Sequence, residues 1–473
     1  MTTSHQIERA PAATKAGGHL AVELAETLKL AAPMAATQLG QIAMMTTDLA
    51  FIGRLGDAAV GAAALAGTVY FVAFTVGMGL MSAVAPLAAQ AFGARDPRMV
   101  RRSVRSGLWA GLLISLPIMV FPMRGEHILQ ALGQAAEPAH LAQQYLFGLV
   151  WGVAPALWFI ALRGFMGAVN RPQPMLWITL VAIPVNALLV YLLLYGEFGF
   201  PRLGLFGAGL ATATVNGGTF LAGLWIATRR APFDGYHILA RLWRIDWGLM
   251  RQLAVIGAPI SIAFLLEYGL FSAAALLMGL ISTTALAAHQ IALQVTAVLF
   301  MIPLGISMAA TVRVGHAVGR NDAAGVKRAG QVAMGLGIAI AVVLTAVVVA
   351  LRFAIARLFL GEGLAPADAT VTLAGALLAI GGTFFITDGL QTIAAGALRG
   401  MNDTRIPLAF AAVSYWGIGF CSAYALAFHT ALGASGVWIG LSLGTFVYAM
   451  LLVWRFRLLA GRLRARDASR SSR

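Results

Sequence analysis

Long uncharged stretches are the feature of this sequence that most limits its fold. Asp, Glu, Lys and Arg are absent from residues 58–94, 106–123, 141–162, 172–196, 203–228 and 329–351. A helix needs about 20 apolar residues to cross a bilayer, and in lipid only helices or closed barrels satisfy the backbone hydrogen bonds. These stretches are too long for barrel strands, so they predict an all-α membrane protein.

The remaining spans come from four stretches that hold at most one acid each. Residues 30–53 contain Asp48, residues 369–398 contain Asp388, and residues 252–312 contain Glu267. The last of these is long enough for two spans, with a break near residues 281–284. Residues 406–454 also hold two spans, with a break near residues 429–436. The predicted total is twelve transmembrane helices.

Composition excludes several other classes of protein. The chain is 60% hydrophobic and only 11% charged, whereas soluble domains are about one quarter charged. A soluble enzyme, a disordered regulator and a secreted disulfide scaffold are therefore excluded. With Cys421 as the single cysteine, the chain forms no intrachain disulfide.

The distribution of basic residues predicts the orientation in the membrane. Of the 33 Lys and Arg residues, 28 lie in the terminal segments and in every second connection between spans. The intervening connections hold only Arg54, Arg124, Arg202, Arg352 and Arg357. Cytoplasmic loops carry the excess of Lys and Arg, so both termini are expected in the cytoplasm. This charge flanks membrane spans, and no nucleic-acid partner is expected.

An internal repeat predicts two similar halves. The pair AP at 32–33 returns at 258–259, and AFGARD at 91–96 returns as AVGRND at 317–322, with LRG at 162–164 returning at 398–400. Parallel repeats of this kind are typical of transporters, whose substrate path lies between the halves near the midplane. We therefore expect two six-helix repeats around a central cavity. The predicted segments are an N-terminal segment over 1–30 that could lie on the membrane surface, an N-lobe over 31–228, a linker over 229–251, a C-lobe over 252–455 and a basic tail over 456–473.

Three acids inside predicted spans are the strongest candidates for function. Asp48, Glu267 and Asp388 each carry a charge that is costly to insert into a bilayer and that needs a reason. Such a carboxyl can take up a proton, or it can attract Na⁺ or a cationic substrate; it can also be a protonated, structural side chain. Glu267 and Asp388 lie in the same half, which predicts one shared cavity and a possible Na⁺ site. Asp48 is near the outer end of its helix, where an interfacial position is the stronger expectation.

Further polar and aromatic residues in the spans could line the cavity or bond between helices. For His289, a neutral hydrogen-bonding role is favoured over proton transfer. The candidates for cavity lining are Gln41, Asn186, Tyr191, Tyr268, His289, Gln290 and Gln391. A Walker A loop, HExxH and GxSxG are absent, so the sequence does not predict an enzyme.

Several motifs together resemble the MATE family, and in particular its NorM-type bacterial branch. They are the segment from Ala32 to Gly56, the GARD and GRND turns, PVNALLVYLLLYG at 184–196, AAHQIA at 287–292 and DGLQTIAAGALRGMNDT at 388–404. The resemblance extends from about residue 30 to residue 455. It implies an antiporter of the bacterial inner membrane with two six-helix lobes, which exchanges lipophilic cations for Na⁺ or H⁺. It further implies that Asp48, Glu267 and Asp388 bind the coupling cation and the substrate, and that Asn186 matches a polar position of the fifth helix.

The resemblance leaves alternatives open. The favoured function is multidrug efflux driven by Na⁺ or H⁺, with no cofactor, by a monomer in contact with membrane lipid. A flippase for a lipid-linked precursor is the first alternative, and it would more readily carry cationic residues in its cavity. A membrane-embedded enzyme is the second.

Overall fold

A computed structural model describes residues 16–360 and 365–471, and the side chains of residues 20–359 and 368–465. The described backbone consists of helices, turns and short connections. The first half of the predicted N-terminal segment, residues 1–15, lies outside the described backbone, as do residues 361–364 and the last two residues of the basic tail. The prediction of an all-α membrane protein is confirmed.

Twelve long helices form the bundle, and we number them α1–α12. Two of them contain a short irregular turn, after Ser82 in α2 and at Val150–Gly152 in α4. The helices are α1 Ala16–Gly53, α2 Asp57–Gly93, α3 Pro97–Met123, α4 Ala136–Ala168, α5 Gln173–Tyr195, α6 Gly204–Arg229, α7 Trp247–Ile281, α8 Thr283–Gly319, α9 Ala323–Leu360, α10 Ala365–Gly400, α11 Arg405–Phe428 and α12 Ala434–Ser471.

Eleven of these helices, α2 to α12, are long and apolar enough to cross a membrane. The exception is α1, which is 38 residues long but carries several polar side chains in its second half. These include Gln38, Gln41, Thr47 and Asp48. We expected twelve spans, and α1 supplies the twelfth by its length and position rather than by its apolarity.

The two predicted breaks within long apolar runs are confirmed. Extended backbone at Ser282 (φ −170°, ψ 162°) separates α7 from α8, and its hydroxyl accepts a hydrogen bond from the Ala285 N–H at 2.9 Å. Serine in this position caps a helix by satisfying a free N–H group. The second break lies between Phe428 and Ala434.

Several helices extend beyond the uncharged runs from which the sequence predicted them. Helix α4 continues through Arg163 to Ala168, α8 continues through Arg313, and α7 begins at Trp247 inside the predicted linker. Asp246 caps α7 by accepting from the Leu249 N–H at 3.2 Å. Arg163 is buried and donates to Gln38 of α1, and Arg313 forms an ion pair with Glu23, so partners within the protein allow these helices to continue past the first charge.

The basic end of the bundle comprises the start of α1, the linker 230–246 and the loops that follow α2, α4, α8 and α10. At this end the two halves of the chain are in direct contact. The Gln90 amide donates to the Gly400 carbonyl at 2.8 Å, and the Asn402 amide donates to Gln90 at 2.9 Å. Arg313 forms an ion pair with Glu23. These contacts join α1 and α2 to α8 and α10.

Close approach of α2 to α7 continues this contact towards the middle of the bundle. The Ser261 hydroxyl donates to the Val76 carbonyl at 2.7 Å. A Cβ placed on Gly79 would lie 2.4 Å from the Ser261 Oγ and 2.5 Å from its backbone nitrogen. Only glycine permits this approach, so Gly79 fixes how closely the two halves pack.

Candidate functional site

Asp48 lies in a buried site within the first half of the chain. Its side chain is 6% exposed. The Asn186 amide of α5 donates to one carboxylate oxygen, and the Thr212 hydroxyl of α6 donates to the other at 2.9 Å. The protein therefore encloses the Asp48 carboxylate, and its interfacial depth stays a prediction. Asp48 is close to the end of α1, but α5 and α6 cover that end.

Aromatic side chains pack beside the Asp48 site. The Tyr195 hydroxyl donates to the Phe51 carbonyl at 2.7 Å, and the Tyr191 ring lies 5.5 Å from that of Tyr195 and 6.3 Å from that of Phe51. Of the predicted residues, the structure thus brings Asn186 to Asp48 directly and places Tyr191 in the aromatic wall. The side-chain oxygen of Asn186, Oδ1, is buried and has no hydrogen-bond partner among the described residues.

Glu267 and Asp388 form a second site, in the second half of the chain. One amide group joins them: Gln391 Nε2 donates to Glu267 at 3.2 Å and to Asp388 at 2.9 Å. The spacing of Asp388 and Gln391 on α10 is three residues, which places them on the same helix face. The Tyr415 hydroxyl of α11 donates to Glu267 at 3.3 Å. Glu267 and Asp388 are thus close together, but they line two neighbouring cavities rather than the one shared cavity that the sequence predicts.

Two cavities flank this acid pair. Glu267 lines one cavity together with Phe264, Phe300, Tyr415 and Tyr448, and Asp388 lines the other. Phe300 borders both cavities. Aromatic faces attract organic cations, and carboxylates attract any cation. The lining of the two cavities therefore combines two kinds of group that attract cations.

Arg399 is a basic residue in the Glu267 cavity that the sequence did not indicate as functional. Its guanidinium carbon lies 5.1 Å from the centre of the Phe264 ring. By sequence Arg399 belongs to a basic connection between spans, but α10 continues through it. Two carboxylates near one guanidinium leave an excess of one negative charge when all three groups are ionised.

A cation fits the acid pair because like charges repel strongly where water is scarce. A single proton or one Na⁺ between the two carboxylates would relieve this repulsion. Carboxylate, amide and hydroxyl oxygens are all available from Glu267, Asp388, Gln391 and Tyr415, and the Gln391 carbonyl oxygen is buried without a partner among the described residues. In the described part of the chain, three or more His, Cys, Asp or Glu side chains do not meet in a group that could hold a metal ion. The Na⁺ site stays a prediction.

The other predicted cavity residues occupy different environments. The Tyr268 ring lies 4.8 Å from the Phe71 ring of α2, at the contact between the halves. His289 is buried and accepts a hydrogen bond at Nδ1 from the Trp438 indole at 3.1 Å, which suits the neutral structural role favoured above. Gln41 is half-buried and Gln290 is exposed.

Sequence reasoning missed Thr212, Tyr415 and Arg399. Thr212 and Tyr415 are uncharged and lie in apolar helices that contain other hydroxyl residues, so composition does not distinguish them. Arg399 did carry a signal, because it follows Asp388 by 11 residues and comes directly after the run 369–398.

Comparison with known proteins gives one family. The model of the MatE family matches residues 33–192 and again residues 259–425. The two matched segments begin at Pro33 and Pro259, the proline pair of the internal repeat.

Bacterial relatives align with nearly the whole chain. A probable multidrug resistance protein NorM of Bradyrhizobium diazoefficiens is 69% identical, with 94% of this chain and 95% of that protein covered. A protein of the same description from Rhodopseudomonas palustris is 57% identical, with 95% and 96% covered. The multidrug resistance protein NorM of Burkholderia vietnamiensis is 39% identical, with 92% and 93% covered.

Solved structures share the fold at low sequence identity. The eukaryotic MATE transporter AtDTX14 superposes with a TM-score of 0.84 at 22% identity, with 94% of this chain and 99% of that chain covered. An outward-facing multidrug resistance MATE family transporter of the MOP superfamily gives 0.83 at 20% identity, with 96% and 100% covered.

Proposed function

Because the chain belongs to the MatE family, we propose that it is a multidrug efflux transporter that exchanges lipophilic organic cations for Na⁺ or H⁺ by alternating access. Like its relatives, the chain is a multi-pass membrane transporter and not an enzyme. The NorM relatives are named for multidrug resistance, and this supports small organic molecules as its cargo.

The observation that carries the coupling proposal is the acid pair of Glu267 and Asp388. Both carboxylates share one amide donor and line cavities with aromatic walls. The driving cation and the drug then compete for the same few negative charges. Each weakens the binding of the other, and this coupling is reciprocal.

Alternating access is supported by the contacts between the halves. The contacts between Gly79 and Ser261 and between Gln90 and Asn402 both lie towards the basic end. We propose that the basic end lies on the cytoplasmic side of the inner membrane, since 28 of the 33 Lys and Arg residues belong to the segments at this end. A cargo between the halves would then leave towards the opposite, periplasmic side.

Arg399 is the one observation in favour of the flippase alternative. A cationic side chain in the cavity could hold an anionic headgroup, and Arg399 lines the Glu267 cavity. The acid pair outweighs its single charge, so cationic cargo is the stronger proposal. Equal transport of anionic and cationic dyes would favour the flippase.

Efflux from vesicles tests the proposal. Purified protein in liposomes should move ethidium when a pH gradient or a Na⁺ gradient is imposed separately, and at least one gradient should drive it. Glu267→Gln and Asp388→Asn should each abolish driven efflux, because they remove a competing charge. Their drug binding should also lose its response to pH and Na⁺.

The matched control is Glu137→Gln, which neutralises an exposed acid in the first turn of α4. It should transport like the natural protein. Normal cation-sensitive efflux in both Glu267→Gln and Asp388→Asn would show that these acids are structural. Ethidium that follows neither gradient would contradict the antiport.

A further inference from the structure

A cluster of arginines joins the start of α3 to the linker between the halves. Arg102 forms an ion pair with Asp246 at 2.6 Å, and the Trp109 indole donates to the Leu242 carbonyl at 2.6 Å. Arg105 reaches the carbonyls of Ala240 and Arg241 at 3.5 and 3.3 Å. The linker is thus held against α3 by basic and aromatic side chains.

Two of these arginines have unused hydrogen-bond donors. The Nε–H groups of Arg101 and Arg105 are buried and lack a partner among the described residues. The Arg105 side chain is only 7% exposed. A buried donor without an acceptor is costly, so an acceptor that the protein itself does not provide would stabilise both groups.

Positive charge is in excess at this position. Arg101, Arg102 and Arg244 all lie near enough to Arg105 to act on its charge, and Asp246 is the acid among these neighbours. Although partial burial opposes it, the hydrogen bonds from Arg102 and from the Leu249 N–H hold the pKa of Asp246 below its ordinary value. Asp246 therefore stays ionised, but it neutralises only one of four arginines.

Two exposed tryptophans close to Arg244 in the sequence indicate that the anion that would balance these arginines belongs to a lipid. Trp243 is 80% exposed and Trp247 is 68% exposed, and they flank Arg244 in the sequence. Tryptophan concentrates at the level of lipid headgroups, where its ring is partly in apolar surroundings. Basic pockets next to membrane spans bind anionic headgroups.

We propose that Arg101, Arg105 and Arg244 bind the phosphate of an anionic phospholipid, with Trp243 and Trp247 packed against its glycerol and acyl region. The site is separate from the acid sites and does not depend on what the protein transports. A lipid bound there would stabilise the linker against α3, and so the position of the segment that joins the two halves.

Native mass spectrometry of the purified full chain tests this proposal. The probes are short-chain phosphatidylglycerol, phosphatidylcholine with the same acyl chains, and inorganic phosphate. Phosphatidylglycerol should bind more tightly than either of the others. Arg101→Gln should weaken its binding about fivefold, since each basic residue near an anionic headgroup contributes about that factor, and Arg105→Gln should weaken it at least as much.

The internal repeat offers a matched control. Lys327 is the counterpart of Arg101 in the second half and is also half-buried, so Lys327→Gln should leave phosphatidylglycerol binding unchanged. Trp243→Ala removes an exposed ring without disturbing the core, and it should weaken phosphatidylglycerol binding even if Arg105→Gln fails to fold.

Three results would overturn the proposal. Phosphatidylcholine that binds as tightly as phosphatidylglycerol would remove the role of headgroup charge. Inorganic phosphate that binds as tightly would assign the site to a free anion. Unchanged phosphatidylglycerol binding in both Arg101→Gln and Trp243→Ala would place the lipid elsewhere.

Discussion

The two candidate sites differ in how many hydrogen-bond donors each carboxylate receives. In the second half, one neutral amide, that of Gln391, donates to two carboxylates. In the first half, Asp48 receives separate donors from Asn186 and Thr212. Asp48 thus has two donors to itself, whereas Glu267 and Asp388 share the Gln391 amide and have the Tyr415 hydroxyl as a further donor, to Glu267. This difference makes the acid pair the stronger candidate for binding a cation from outside.

The Thr212 hydroxyl permits a test of the Asp48 site at the level of one bond. It donates to the carboxylate and thus competes with a driving cation for the same oxygen. A hydrogen bond to a charged group contributes roughly 1.5–3 kcal/mol. Thr212→Val should therefore lower the half-saturating concentration of the driving cation by a factor of about ten or more, as measured from efflux rates in vesicles over a series of Na⁺ concentrations and pH values.

Thr214 is the control for this substitution. It lies on the same helix, and its hydroxyl donates to the Leu210 carbonyl of its own helix at 2.8 Å. Thr214→Val removes the same chemical group without contact to an acid and should leave the cation dependence unchanged. Equal behaviour of the two variants would show that Asp48 is not part of the coupling.

At the scale of helices, close approach between α2 and α7 determines whether the basic end is closed. Gly79→Ala places a Cβ 2.5 Å from the Ser261 backbone, and overpacking of this kind costs about 1–3 kcal/mol. The closed arrangement should become less populated. With Cys421→Ser as background, cysteines at Gln90 and Asn402 should cross-link readily, and Gly79→Ala should reduce the cross-link yield.

A glycine elsewhere on α2 controls for the helix itself. A Cβ on Gly67 would meet no atom within 4 Å. Gly67→Ala therefore adds the same methyl group to α2 without touching α7, and the cross-link yield should stay at its original level. A yield reduced equally by both substitutions would mean that helix propensity, not packing between the halves, explains the effect.

For the whole molecule, orientation is the property to measure. The excess of Arg and Lys at the basic end predicts that this end lies in the cytoplasm. A phosphatase reporter fused after Arg102 or Arg244 should therefore be inactive, and one fused within residues 124–138 should be active. A green fluorescent reporter at the same positions should give the opposite pattern. An active phosphatase fused after Arg244 would show that the orientation is opposite to the one proposed.

Local properties of the chain determined the helices and the identity of the acids. The run of apolar residues determines where a helix can cross lipid, and Ser282 ends one such run because its side chain caps the next helix. Asp48, Glu267 and Asp388 stand out because charge in an apolar run is rare and costly. Both signals are contained in neighbouring residues and need no knowledge of the fold.

Tertiary structure alone decided what surrounds each acid. Asp48 is buried because α5 and α6 cover the end of α1, and Thr212 reaches it across 164 residues of sequence. Tyr415 reaches Glu267 across 148 residues, and Arg399 enters the same cavity because α10 continues past its uncharged run. Such contacts depend on how helices pack, and packing is set by the shapes of many side chains together. No local pattern in the sequence records them.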